Sequence, residues 1–178
     1  MENMETLNEI GLKNNSDKSS NYHCYLDLYD KYFSKYRGEN INFLEIGILF
    51  GDSLKIFDEY FINSNIVGID IEDKSHMEKE NIKIIKGDQS DRTLLNNFED
   101  EYFDIILDDG SHKMEHQQVS FGVLFKKLKS GGIYVIEDLH TSLDSYRENI
   151  KYGPKLFGIE NGNRTIDFLN GLTTLKVM

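Results

Sequence analysis

Five short apolar runs, separated by segments with helical spacing, constrain this chain more than any other feature. Residues 41–46 (INFLEI), 65–71 (NIVGIDI), 82–85, 103–107 (FDIIL) and 133–136 (IYVI) are nearly continuous in apolar residues rather than alternating. Strands buried on both faces read this way, and such strands are parallel ones covered by crossover helices. Residues 53–61, 92–98 and 114–129 carry the helical patterns between them. In the last of these, Phe121, Leu124, Phe125 and Leu128 mark one face, Lys126, Lys127 and Lys129 suit the dipole of the last turn, and Gly131 and Gly132 end it. The pattern predicts an α/β domain with a doubly wound, mainly parallel sheet.

Upstream, Tyr25, Tyr29, Tyr32, Phe33 and Tyr36 fall at steps of three and four, which predicts a core-packed helix over residues 21–37. Residues 1–20 are polar and read as a loose arm, leaving residues 21–178 as a single domain. A net charge of −11 argues against a partner with a phosphate backbone, so no nucleic acid is expected. A lone Cys24 excludes an internal disulfide framework and a Cys-rich zinc site. No apolar run approaches the roughly 20 residues of a membrane span, and residues 1–10 lack the basic and apolar pattern of a signal peptide. A cytoplasmic protein without membrane contact is expected.

In open parallel sheets, ligands bind beyond the carboxyl ends of the strands. Those five ends read Glu45-Ile-Gly47, Asp70, Gly87-Asp88-Gln89, Asp108-Asp109-Gly110-Ser111-His112 and Glu137-Asp138, and every one carries acid. The first turn, Gly47 to Gly51, is G-x-x-x-G. It lacks the middle glycine that lets a backbone approach a pyrophosphate, which disfavours NAD or FAD and a reductase. Asp70 could accept both hydroxyls of a ribose, and Asp88-Gln89 could reach an adenine edge. Asp108 reads as strand-end support and His116 as a helix-start histidine, while His23 and Tyr25 fit a lid or a packed helix start equally well. His140 fits loop structure or a substrate contact.

This set of strand ends resembles the class I S-adenosylmethionine-dependent methyltransferases. The run Phe103-Asp-Ile-Ile-Leu-Asp-Asp-Gly-Ser-His112, with His116-Gln117 and Ser120-Phe121 behind it, is similar to one branch of that class. So is Gly131-Gly-Ile-Tyr-Val-Ile-Glu-Asp-Leu-His-Thr-Ser142. The branch is the metal-dependent sugar O-methyltransferases of macrolide biosynthesis, of the mycinamicin and macrocin type. Asp17-Lys18 with His23-x-Tyr25 is similar to the segment those enzymes carry before their first strand. The resemblance implies Asp109, Glu137 and Asp138 as Mg²⁺ ligands and His112 as the general base. It implies Glu45, Gly47, Gly51, Ser53, Asp70, Asp88 and Gln89 for S-adenosylmethionine, and a hydroxyl of a sugar or glycosylated small molecule as acceptor.

The residues support that chemistry independently. Three carboxylates converging with no lysine or arginine in their motifs repel one another unless a cation neutralises them. Hard oxygen donors favour Mg²⁺, which keeps positions for water or substrate oxygens. Leu143 departs from the family, which usually carries Tyr there. Only residues 172–177 could serve the antiparallel strand pair with which the class ends. A short or missing pair predicts a homo-oligomer that completes the sheet edge. The same feature leaves open a non-catalytic S-adenosylmethionine-binding or assembly subunit.

Overall fold

The computed structural model describes residues 4–139. Its elements run α1 (Leu7–Lys13), α2 (Tyr25–Phe33), β1 (Asn40–Ile46), α3 (Asp52–Tyr60), β2 (Asn63–Asp70), β3 (Ile82–Lys86), α4 (Arg92–Asn96), β4 (Phe103–Asp108), α5 (Met114–Leu124) and β5 (Leu128–Ile136). The five strands form one sheet in the order β3-β2-β1-β4-β5, and every pairing is parallel. The order reverses between β1 and β4, whose carboxyl ends therefore flank a crevice.

Because side chains alternate across a strand, each apolar run supplies two cores. Phe43, Ile105, Leu107, Ile133 and Val135 face α1, α2 and α3, where Phe33, Phe57 and Phe61 fill the layer. Leu44, Ile46, Ile106, Tyr134 and Ile136 face α4 and α5, against Leu95 and Leu124. Phe57 sits at the centre of the first core, with its ring 4.7 Å from Phe43 and 6.2 Å from both Phe33 and Phe61.

Three expectations need correction. The polar arm is not loose. Leu7–Lys13 is a helix with a complete capping box, Thr6 to Glu9, and its Leu7 and Ile10 are fully buried. The helix expected to run to residue 129 ends at Leu124 with one 3₁₀ turn, and β5 already begins at Leu128. Gly131 and Gly132 lie inside that strand, where the register against β4 shifts between Phe103 and Ile105. The expected helix over 21–37 is shorter, Tyr25–Phe33 followed by a 3₁₀ turn. His140, Leu143 and the terminal strand pair expected near residues 172–177 lie outside the described residues.

Candidate active site at the carboxyl ends of the strands

A cavity of about 770 Å³ opens over the carboxyl ends of the sheet, within the range of small-ligand sites. Gly47, Ser53, Asp70, Asp88, Gln89, Asp109, His112, Glu137 and Asp138 line it. Glu45 and Gly51, expected beside them, are not part of its wall. Glu45 is fully buried beneath it, and burial pushes its carboxyl up to about 8, with the Ser53 hydroxyl offering partial relief.

Gly47, on the cavity wall, also serves packing. Its φ is +85°, and a Cβ there would lie 2.1 Å from the Asp109 carbonyl oxygen. The missing side chain lets the end of β1 seat against the backbone after β4, and the Asp109 amide donates to the Ile46 carbonyl at 2.9 Å. That seat fixes where Asp109 projects. Asp108, the residue before it, is buried and accepts from Gln89 Nε2 at 3.0 Å and from the Ser120 hydroxyl. Its reading as support therefore holds. Gln89 is committed too, since its Oε1 accepts from the Ser111 amide at 2.5 Å. It shapes the turn after β4 from its place on the cavity wall.

Asp70 is also partly spent. Its Oδ2 accepts from the Ile48 and Leu49 amides at 2.9 and 3.2 Å, and its Oδ1 from the Glu72 amide at 2.8 Å. A carboxylate has roughly four acceptor sites, so one remains for a ligand hydroxyl rather than two. Asp88 accepts from the Ser90 amide and hydroxyl through Oδ1, both at 2.7 Å, which holds its carboxyl below the ordinary range.

The acidic cluster stands across the cavity from Asp70. His112 Nε2 lies 3.6 Å from Asp138 Oδ2 and 3.9 Å from Asp109 Oδ1. One donor atom each from Asp109, His112 and Asp138 falls within 4.8 Å of the others. His112 and Asp138 both adopt left-handed backbone, at φ +56° and +55°. Four of the six described non-glycine residues with positive φ (Asn15, Leu49, His112 and Asp138) line this cavity. Left-handed backbone gathered around one cavity is a feature that functional sites share.

Glu137 sits deeper. Its Oε1 accepts from the Tyr29 hydroxyl at 2.6 Å and its Oε2 from Lys18 Nζ at 2.7 Å. Burial raises its carboxyl to about 7, opposed by the Lys18 ammonium. Burial likewise raises Asp109, again against Lys18, which donates to its Oδ2. Asp138 accepts from the Tyr25 hydroxyl at 3.2 Å. The carboxylates are thus not without a basic partner, as their own motifs suggest. The cation comes from Lys18, 91 residues before Asp109 in the chain. Lys18, Tyr25 and Tyr29 are the participants that the strand ends do not reveal. Asp17-Lys18 is visible as a motif, but only folding shows what it reaches.

The donor set suits a hard divalent cation. Three carboxyl groups outnumber the one ammonium in a largely buried cluster, and every acidic donor is oxygen. Asp109 and Asp138, with Glu137 behind them, are the residues that would hold it.

No protein-family model matches the chain. It is 41% identical over 145 residues to demethylmacrocin O-methyltransferase of Streptomyces fradiae, covering 76% of this chain and 37% of that protein. It is 37% identical to mycinamicin VI 2''-O-methyltransferase of Micromonospora griseorubida, covering 76% of this chain and 36% of that one. Among solved structures, MycE methyltransferase in complex with Mg, SAH and mycinamycin VI superposes with a TM-score of 0.74 at 35% identity. That likeness covers 79% of this chain and 41% of the other. The chain therefore spans little more than a third of the length of the curated relatives it matches. Over the matched region it is a homologue of the macrolide-sugar O-methyltransferases, with the Rossmann-like fold of S-adenosylmethionine-dependent methyltransferases.

Proposed function

We propose that this chain carries the catalytic region of a Mg²⁺- and S-adenosylmethionine-dependent O-methyltransferase acting on a hydroxyl of a sugar or glycosylated small molecule. One observation carries the reading. A histidine held on strained backbone faces two carboxylates at the ends of β4 and β5, across a nucleoside-sized cavity from Asp70. In this reading S-adenosylmethionine supplies the methyl group and the metal makes an acceptor hydroxyl more acidic. Asp70 holds the cofactor's ribose through its remaining acceptor site, while Asp88 and Gly47 shape the wall on either side of it. Asp109, Glu137 and Asp138 would hold that cation beside the acceptor hydroxyl. His112, beside Asp109 and Asp138, takes the proton that the hydroxyl loses. The acidic surface of the chain suits a small neutral or basic acceptor and repels nucleic acid. Among the described residues no helix is long and apolar enough to cross a membrane.

The test is methyl transfer to a panel of glycosylated macrolides and related glycosides, with and without chelator. Turnover should vanish in excess EDTA and return with Mg²⁺. His112→Ala should slow transfer by roughly 10²–10⁴-fold while S-adenosylhomocysteine still binds by calorimetry. Cofactor binding with no turnover on any hydroxyl acceptor would point instead to a binding subunit. Full activity in EDTA would remove the metal from the mechanism.

A further inference from the structure

Lys18 belongs to the strap of residues 14–24 that joins α1 to α2, and its side chain is only 8% exposed. Its ammonium lies between Asp109 Oδ2 and Glu137 Oε2, the oxygens that a cation bridging those two residues would use. Both oxygens of Glu137 are engaged, since the other accepts from the Tyr29 hydroxyl at 2.6 Å. The same lysine organises the backbone around it. Its carbonyl accepts from the Tyr25 and Leu26 amides at 2.9 and 3.1 Å, and so caps the start of α2, where the side chain of the residue at the cap position, Cys24, does not cap the helix. One residue therefore both closes the acidic cluster and pins the strap, and Asn15, Ser16, Asp17 and His23 of that strap form one wall of the cavity.

Resting on the reading that Asp109, Glu137 and Asp138 hold a divalent cation, we propose that Lys18 is a resident cation that the metal must displace to gain Glu137 as a ligand. A buried ammonium is retained only where carboxylates surround it, and a second cation brought to the same oxygens removes its reason to stay. A lysine suits the exchange, because its charge is a compact point on a flexible four-carbon stem and can swing out without breaking a fixed fork. Two consequences follow from the geometry. Metal affinity is set below what three free carboxylates would give. Metal loading also loosens the strap, so that the N-terminal wall of the cavity yields when the cluster fills.

Mn²⁺, which takes the same hard oxygen donors, serves as the probe, followed by the spectroscopic signal of the free ion and by calorimetry on the full chain. Lys18→Met should tighten Mn²⁺ by roughly 10-fold or more. Lys18→Gln, which keeps a donor and drops the charge, serves the same purpose if the methionine variant does not fold. In the unaltered protein, Mn²⁺ should speed hydrogen exchange at the Tyr25 and Leu26 amides, whose acceptor is the Lys18 carbonyl. In Lys18→Met or Lys18→Gln, the ion should leave that exchange unchanged. If the unaltered protein binds Mn²⁺, Asp138→Asn abolishes that binding and Lys18→Met leaves the affinity where it was, the displacement is overturned while the metal site stands. If neither the unaltered protein nor the lysine variants bind Mn²⁺, both ideas fall. Binding that appears only once Lys18 is replaced would mean that the lysine keeps the site against the ion, which overturns the displacement.

Discussion

At Glu45 a carboxyl is placed where no charge is welcome. It lies next to the carboxyl end of β1, off the cavity wall and fully buried, and holds its proton to about 8 against an ordinary value of 4.5. In the unfolded chain it ionises at its ordinary value. Between these two points the unfolded state releases its proton first, so stability falls as pH rises from about 4.5 to about 8 and is level above. Glu45→Gln removes that contribution. Melting followed from pH 5 to pH 8.5 should show the variant gaining on the parent as pH rises, by on the order of a few kcal/mol at the alkaline end. A difference between the two proteins that stays constant across the range would mean that Glu45 is ionised in the fold. Glu45, expected at the cofactor, is buried off the cavity wall.

Among the elements, the turn from β1 into α3 decides how the two halves of the site meet. Gly47 permits contact between the end of β1 and the backbone at Asp109, and Gly51, at φ +77°, starts α3 where a Cβ would lie 2.6 Å from the Met77 sulfur. Gly47→Ala should cost on the order of 1–3 kcal/mol from its backbone conformation alone. It should also push Asp109 away, so that Mn²⁺ affinity falls further than the stability loss accounts for. Gly122 provides the contrast. It lies in α5, and a Cβ added there would meet nothing within 4 Å. Gly122→Ala should raise stability by about 0.5–1 kcal/mol and leave metal and cofactor binding untouched. Thermal melts and Mn²⁺ titrations of the two variants, run side by side, check both statements. Equal effects would mean that the G-x-x-x-G turn is ordinary chain reversal.

The whole molecule carries a net charge of −11, with acid concentrated at every strand end of one face. Mutual repulsion among these groups opposes the compact state and is screened by salt. Raising NaCl from about 10 to about 200 mM should therefore stabilise the protein, by on the order of 1 kcal/mol or about 2–4 °C in a chain of this size. A melting temperature that falls with salt would mean that attractive pairs such as Lys79 with Asp58 and Lys129 with Asp104 outweigh the repulsion.

The order of strands and helices, the parallel sheet and the acidic crevice are legible in the sequence, because period and polarity are local properties. Strand ends can be read for the same reason, and Asp109, His112, Glu137 and Asp138 do meet where the parallel register brings β4 and β5 together. The helix α1 hides in a polar stretch because few of its residues are apolar, and Leu7 and Ile10 gain their burial only against α2 and α3. Gln89 and Asp70 look available in the sequence because their bonds to Ser111, Ile48 and Leu49 join loops that are distant along the chain. Lys18 is the residue furthest from reach. Nothing within the acidic motifs announces a cation, and only the folding of the strap across the sheet carries an ammonium over 91 residues to Asp109 and 119 to Glu137. Local chemistry named the anions, and tertiary structure alone chose their counter-charge, because burial makes an unpaired carboxylate too costly to keep.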